Sequence, residues 1–64
     1  MEHAIAHFLL ALESMAETGV DDPDCEFIEA VVAFICANGT PAQCAAARAN
    51  CEEIGCDCPA DPPA

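Results

Sequence analysis

The stretch CEFIEAVVAFICANGTPAQC, residues 25–44, decides the fold, because it holds two helical segments joined by a tight turn. Its first part is apolar at helical spacing, and the Asn-Gly pair at 38–39 is a typical helix end. Thr40 and Gln43 have the spacing of a capping box, and Pro41 stands at the first helical position, where proline is favoured. The stretch therefore predicts a helical hairpin.

The first helix of this hairpin is predicted to begin in Asp21-Asp22-Pro23-Asp24. This segment offers an Asp cap, a proline at the first helical position and carboxylates near the positive end of the helix dipole. The helix should run to about Ala37. The β-branched run within it would also suit a buried strand, but its length and capped start favour a helix. Its predicted core face consists of Phe27, Ile28, Val31, Val32, Phe34 and Ile35.

The second helix of the hairpin should extend to about Ile54 and end at Gly55. Five of its residues are alanines, at 42, 45, 46, 47 and 49, and alanine forms helices well but buries little area. Its inward stripe is predicted to be Cys44, Ala47, Cys51 and Ile54, so the cysteines should be its chief means of attachment.

Another helix, the first in the chain, is predicted to span about Glu2 to Thr18 and to end before Gly19. Its apolar residues fall on one stripe at i, i+3, i+4, i+7 spacing. We therefore predict an all-α fold, a small three-helix bundle in which this helix packs across a disulfide-stapled hairpin. Residues 1–58 should form one domain and the proline-rich residues 59–64 a disordered tail. The stripe is made of Ile5, Phe8, Leu9, Leu12, Met15 and Ala16.

All six cysteines lie after the N-terminal helix, which spans about residues 2–18. The core of a chain of 64 residues is usually too small to stabilise the fold without disulfides or a bound metal. An even number of cysteines in so short a chain indicates disulfides. Cys36 and Cys44 lie at similar depth on either side of the turn and are the preferred pair. Cys25 could then meet Cys51 with some helix tilt, or one of the two later cysteines. The predicted disulfide-forming residues are Cys25, Cys36, Cys44, Cys51, Cys56 and Cys58.

Thiolate metal binding, to zinc or Cu(I), is the alternative use of these cysteines. Cys51 and Cys56 have marginal spacing for a zinc site, and the chain has no C-x-x-C pair. His3 and His7 have the spacing of a helical metal pair, but they lie opposite the apolar stripe and we expect two exposed histidines. We therefore predict no metal and no other cofactor.

Cys56-Asp57-Cys58 also has the form of a redox motif, since a C-x-C disulfide closes a small, strained ring. A stapled helical hairpin with this motif resembles the intermembrane-space thiol oxidoreductases of the twin C-x9-C type. The resemblance would imply redox activity at Cys56 and Cys58. However, the intervals between the hairpin cysteines are x10 and x6, the motif is C-terminal, and the carboxylate of Asp57 would raise the thiol pKa and slow attack.

Twelve acids and one base, Arg48, give a net charge of −11. Such a surface repels nucleic acids and anionic membranes and favours a cationic protein partner, although salt adaptation would produce the same composition. No segment is apolar enough to span a membrane, and residues 3–16 lack the positive region of a signal peptide. Disulfides would place the protein in a secreted or other oxidising compartment, and reduced thiols in the cytoplasm.

The sequence contains one serine and no lysine, and it matches no motif for hydrolysis, phosphate binding or dinucleotide binding. We therefore expect a non-catalytic interaction module, a small binding, signalling or inhibitory protein. The alternatives are a thiolate metal binder, a C-x-C thiol–disulfide oxidoreductase and a cysteine-rich precursor peptide. The sequence does not fix the oligomeric state.

Overall fold

The structure is a computed structural model that describes residues 2–58. It contains three helices: α1 (Glu2–Thr18), α2 (Cys25–Asn38) and α3 (Pro41–Ile54). The β-branched segment is helical, so the predicted all-α bundle is confirmed and the strand alternative is wrong. The predicted proline-rich tail, residues 59–64, lies outside the described residues.

Helix α2 begins two residues later than predicted, so the predicted start, with Pro23 as the first helical residue, is wrong. Asp24 is the N-cap, and its carboxylate accepts a hydrogen bond from the Phe27 N–H at 3.2 Å. Pro23 thus precedes the cap and does not occupy the first helical position. Asp22 has a φ of 59°, and a residue before proline is disfavoured in the right-handed helical region. The helix therefore starts only after the proline, with Cys25 as its first residue.

The turn between α2 and α3 has the predicted capping box. The Gln43 N–H donates to Thr40 Oγ1 at 3.1 Å, and the Thr40 N–H donates to Gln43 Oε1 at 2.8 Å. The Gly39 N–H donates to the Ile35 carbonyl at 2.7 Å, which closes α2. The two bonds of the capping box satisfy N–H donors at the start of α3 that have no partner within the helix. The direction of the hairpin is therefore set by local interactions.

The largest share of the buried core comes from α2, which contributes four buried aliphatic side chains. Helix α3 adds Ala47, which is fully buried and small enough to let the α3 backbone approach its neighbours. The inward stripe predicted for α3 is confirmed, with Ile54 partly buried at its end. The buried core cluster consists of Ile5, Leu12, Ile28, Val31, Val32, Ile35, Ala47, Cys51 and Cys56.

Helix α1 has no covalent link to the hairpin and is held by packing, more closely against α3 than against α2. Ile5 and Leu12 are buried. The Phe8 ring meets Phe34 of α2 edge-on, with ring centroids 5.7 Å apart, an arrangement that contributes about 0.5–1.5 kcal/mol beyond burial. Phe27, by contrast, is 60% exposed, so its assignment to the core face of α2 is wrong.

Candidate functional site

Disulfides close the α2–α3 hairpin at both ends. Cys36 and Cys44 are bonded beside the turn, with their Cα atoms 4.4 Å apart, as their matching depth predicted. At the open end, Cys25 at the start of α2 is bonded to Cys56, just beyond α3, with a Cα separation of 5.3 Å. The two helices can therefore neither splay apart nor slide past each other while these bonds are intact.

The sequence left the partner of Cys25 open among three cysteines, and the end of α3 decides between them. Cys51 lies roughly 4–5 Å short of Cys25 along the hairpin axis, at 1.5 Å per residue. Gly55 ends α3 with a φ of 101°, and the Cys56 N–H donates to the Cys51 carbonyl at 3.2 Å. This turn brings the chain back across the helix end and places Cys56 next to Cys25.

Cys51 instead pairs with Cys58, and this bond fastens residues 55–58 to the last turn of α3. Cys56 and Cys58 therefore have different partners, and the C-x-C disulfide of the oxidoreductase hypothesis is not the bond in this structure. All six cysteines are disulfide-bonded. While the bonds are intact, no thiolate is available for nucleophilic attack or for metal coordination.

The histidines of α1 have the exposure that the sequence predicted. His3 and His7 both lie on the solvent side of the helix. Within residues 2–58, no group of three or more His, Cys, Asp or Glu side chains is placed to hold a metal ion.

Exposed carboxylates lie on all three helices and on the segment between α1 and α2. One concentration is a shallow groove where α1 and α3 end side by side, lined by Glu13 and Glu17 of α1 and by Asn50 and Glu53 of α3. The Asn50 side chain is already bonded to the Ala46 carbonyl. The exposed acids are Glu13, Glu17, Asp21, Asp22, Asp24, Glu26, Glu52, Glu53 and Asp57.

A second shallow groove, at the start of α2, combines carboxylates with an aromatic ring. It has a volume of about 420 Å³ and is lined by Asp24, Glu26, Phe27 and Ala30. The sequence does not reveal this groove, because the helical spacing of the apolar residues places Phe27 on the core face. The signal was its position in the first turn: helical side chains lean towards the N-terminus, so Phe27 reaches past the end of the packed region.

Neither a protein-family model, nor a curated protein sequence, nor a solved structure matches this chain. In residues 2–58, every helix is too short or too polar to cross a membrane.

Proposed function

We propose that this protein is a non-catalytic interaction module whose partner is a cationic protein segment. The observation that carries the proposal is an acidic surface, almost without compensating bases, displayed on a hairpin that is stapled at both ends. A scaffold of this kind loses little conformational freedom on binding, because the disulfides already restrict it. Its field attracts positively charged partners and speeds their association.

The absence of catalysis in this proposal rests on the chemistry of the exposed groups. All the cysteine sulfur atoms are in disulfide bonds, and the single serine, Ser14, is exposed on α1. The two grooves are shallow and open to solvent, whereas catalytic sites rely on desolvated, preorganised groups. These features suit recognition of an extended partner better than the enclosure of a small substrate.

The charge also selects the class of partner. Phosphate backbones and anionic lipid surfaces would be repelled by a net charge of −11, whereas lysine- and arginine-rich segments would be attracted. A secreted or other oxidising compartment is part of the proposal, because disulfides persist there and are reduced in the cytosol. Alkylation of the protein isolated without reductant should modify no cysteine; modification of all six would contradict this placement.

A random peptide library displayed on phage tests the proposal. The disulfide-bonded protein should enrich peptides rich in Lys and Arg, and their binding should weaken as salt is added, since exposed charges are screened. The matched control is the same chain reduced and capped with iodoacetamide, which keeps the charge but loses the staples. It should enrich these peptides weakly. Enrichment of acidic peptides, or equal enrichment by the capped chain, would contradict the proposal.

A further inference from the structure

The three phenylalanines of this chain are placed in two different ways. Phe8 and Phe34 are half-buried and pack against each other between α1 and α2. Phe27 is 60% exposed, although the bundle is small and large apolar side chains are scarce. Burial of a phenylalanine side chain stabilises a folded protein, so most of the stabilisation that this ring could have given the core is not realised.

The surroundings of Phe27 combine apolar and negatively charged surface. Asp24 and Glu26 stand beside the ring at the start of α2, and Ala30 adds apolar surface one turn further on. The groove between α1 and α3 is also acidic, but its lining contains no large apolar side chain. The Phe27 groove is therefore the place in the described residues where a negative field and an exposed aromatic face coincide.

The groove is also rigidly held. Cys25, two residues before Phe27, is bonded to Cys56, which fixes the first turn of α2 against the end of α3. The Asp24 carboxylate caps this turn by accepting a hydrogen bond from the Phe27 N–H. The backbone that carries the ring is therefore ordered before any partner arrives, and binding need not order it.

We propose that the Phe27 groove, lined by Asp24, Glu26, Phe27 and Ala30, binds a basic peptide segment that carries an aromatic side chain beside its lysines or arginines. The aromatic side chain would pack on Phe27, and the cations would lie near the carboxylates of Asp24 and Glu26. This inference rests on the proposed function and names its binding site. A second copy of this chain is a poorer occupant, because two molecules of charge −11 repel each other.

Two peptides test the site: one with four lysines around a single tryptophan, and one in which glycine replaces that tryptophan. Their affinities are measured by calorimetry at low salt for the disulfide-bonded protein and for Phe27→Ala. The substitution should weaken the tryptophan peptide roughly three- to tenfold and leave the glycine peptide almost unchanged. Glu26→Gln should weaken both peptides about twofold or more, since it removes charge.

Leu10→Ala is the matched control, because Leu10 is 63% exposed and lies on α1. It should leave the affinity of both peptides unchanged, and circular dichroism should show that every variant remains folded. If both peptides bind but Phe27→Ala affects them equally, the groove assignment is wrong and the proposed function stands. If neither peptide binds, both proposals are wrong. Sedimentation showing a dimer that Phe27→Ala dissociates would make a second copy the occupant and overturn this inference.

Discussion

One glycine lies on each side of α3, and the two positions favour glycine for different physical reasons. At Gly39 the limit is space: a Cβ atom would lie 2.6 Å from Gln43 Oε1 and 2.8 Å from the Ile35 carbonyl oxygen. The backbone there has an ordinary φ of −98°. At Gly55 the limit is conformation: its φ is 101°, and nothing lies within 4 Å of the position that a Cβ would occupy.

These different requirements predict different responses to alanine and asparagine. Gly39→Ala should lower the free energy of unfolding by about 1–3 kcal/mol, because the carbonyl oxygen of Ile35 cannot move aside cheaply. Gly55→Ala should lower it by about 1–2 kcal/mol through backbone strain. Asparagine tolerates left-handed backbone, so Gly55→Asn should cost less than Gly55→Ala, whereas Gly39→Asn should cost at least as much as Gly39→Ala. Urea unfolding measures all four, and equal rescue by asparagine at both sites would contradict this account.

For individual residues, the sequence predicts interactions between neighbours in the chain better than it predicts backbone conformation or exposure. The capping box of Thr40 and Gln43 was predictable because both partners lie within one turn of the chain. The sequence predicts a cap for α2 at Asp22, two residues before the observed cap at Asp24, because the choice between the two depends on a backbone conformation next to proline. The exposure of Phe27 depends on where α2 begins relative to the packed core, which periodicity alone does not reveal.

At the scale of elements, the hairpin depends on its two inter-helix disulfides to different degrees. Cys36–Cys44 spans 8 residues beside a turn that already has a capping box, and Cys25–Cys56 spans 31 residues at the open end. In the chain-entropy treatment, the short loop contributes about 2.5 kcal/mol and the long one about 3.7 kcal/mol. The open-end bond should therefore matter more to stability.

Paired alanine substitutions test this order. Replacing Cys25 and Cys56 should lower the free energy of unfolding by about 1 kcal/mol more than replacing Cys36 and Cys44. The comparison is balanced, because each pair has one buried and one half-buried cysteine. Denaturant unfolding of the two variants measures the difference, with the Cys51–Cys58 pair as a second short loop, of 7 residues. A greater loss on removing the turn-end pair would show that loop entropy does not govern the hairpin.

The elements also explain why one disulfide was predictable and two were not. Cys36 and Cys44 are related by regular helix geometry on both sides of a short turn, so their depths could be compared residue by residue. The partners of Cys25 and Cys51 lie beyond α3, where the left-handed turn at Gly55 changes the chain direction. Helical periodicity carries no information past such a point, and the sequence therefore left these pairings open.

On the scale of the whole molecule, the charges oppose the compact state. The net charge is −11, with Arg48 as the only base. None of the three helices has a basic residue in its last turn, where a positive charge would interact favourably with the helix dipole. Glu17 and Glu53 occupy the last turns of α1 and α3 and line one groove, so negative side chains meet where the negative ends of two dipoles lie together.

The melting temperature should therefore rise as salt increases from the millimolar range to about 0.2 M, because screening weakens repulsion between charges about 8–10 Å apart or more. Scanning calorimetry of the disulfide-bonded protein measures this. Glu53→Gln should raise the melting temperature at low salt, and its benefit should shrink by 0.2 M. Asp21→Asn is the matched control: it removes one exposed charge outside the groove and should give a smaller rise. A melting temperature that falls with salt, or a larger benefit from Asp21→Asn, would show that repulsion at this end of the bundle does not limit stability.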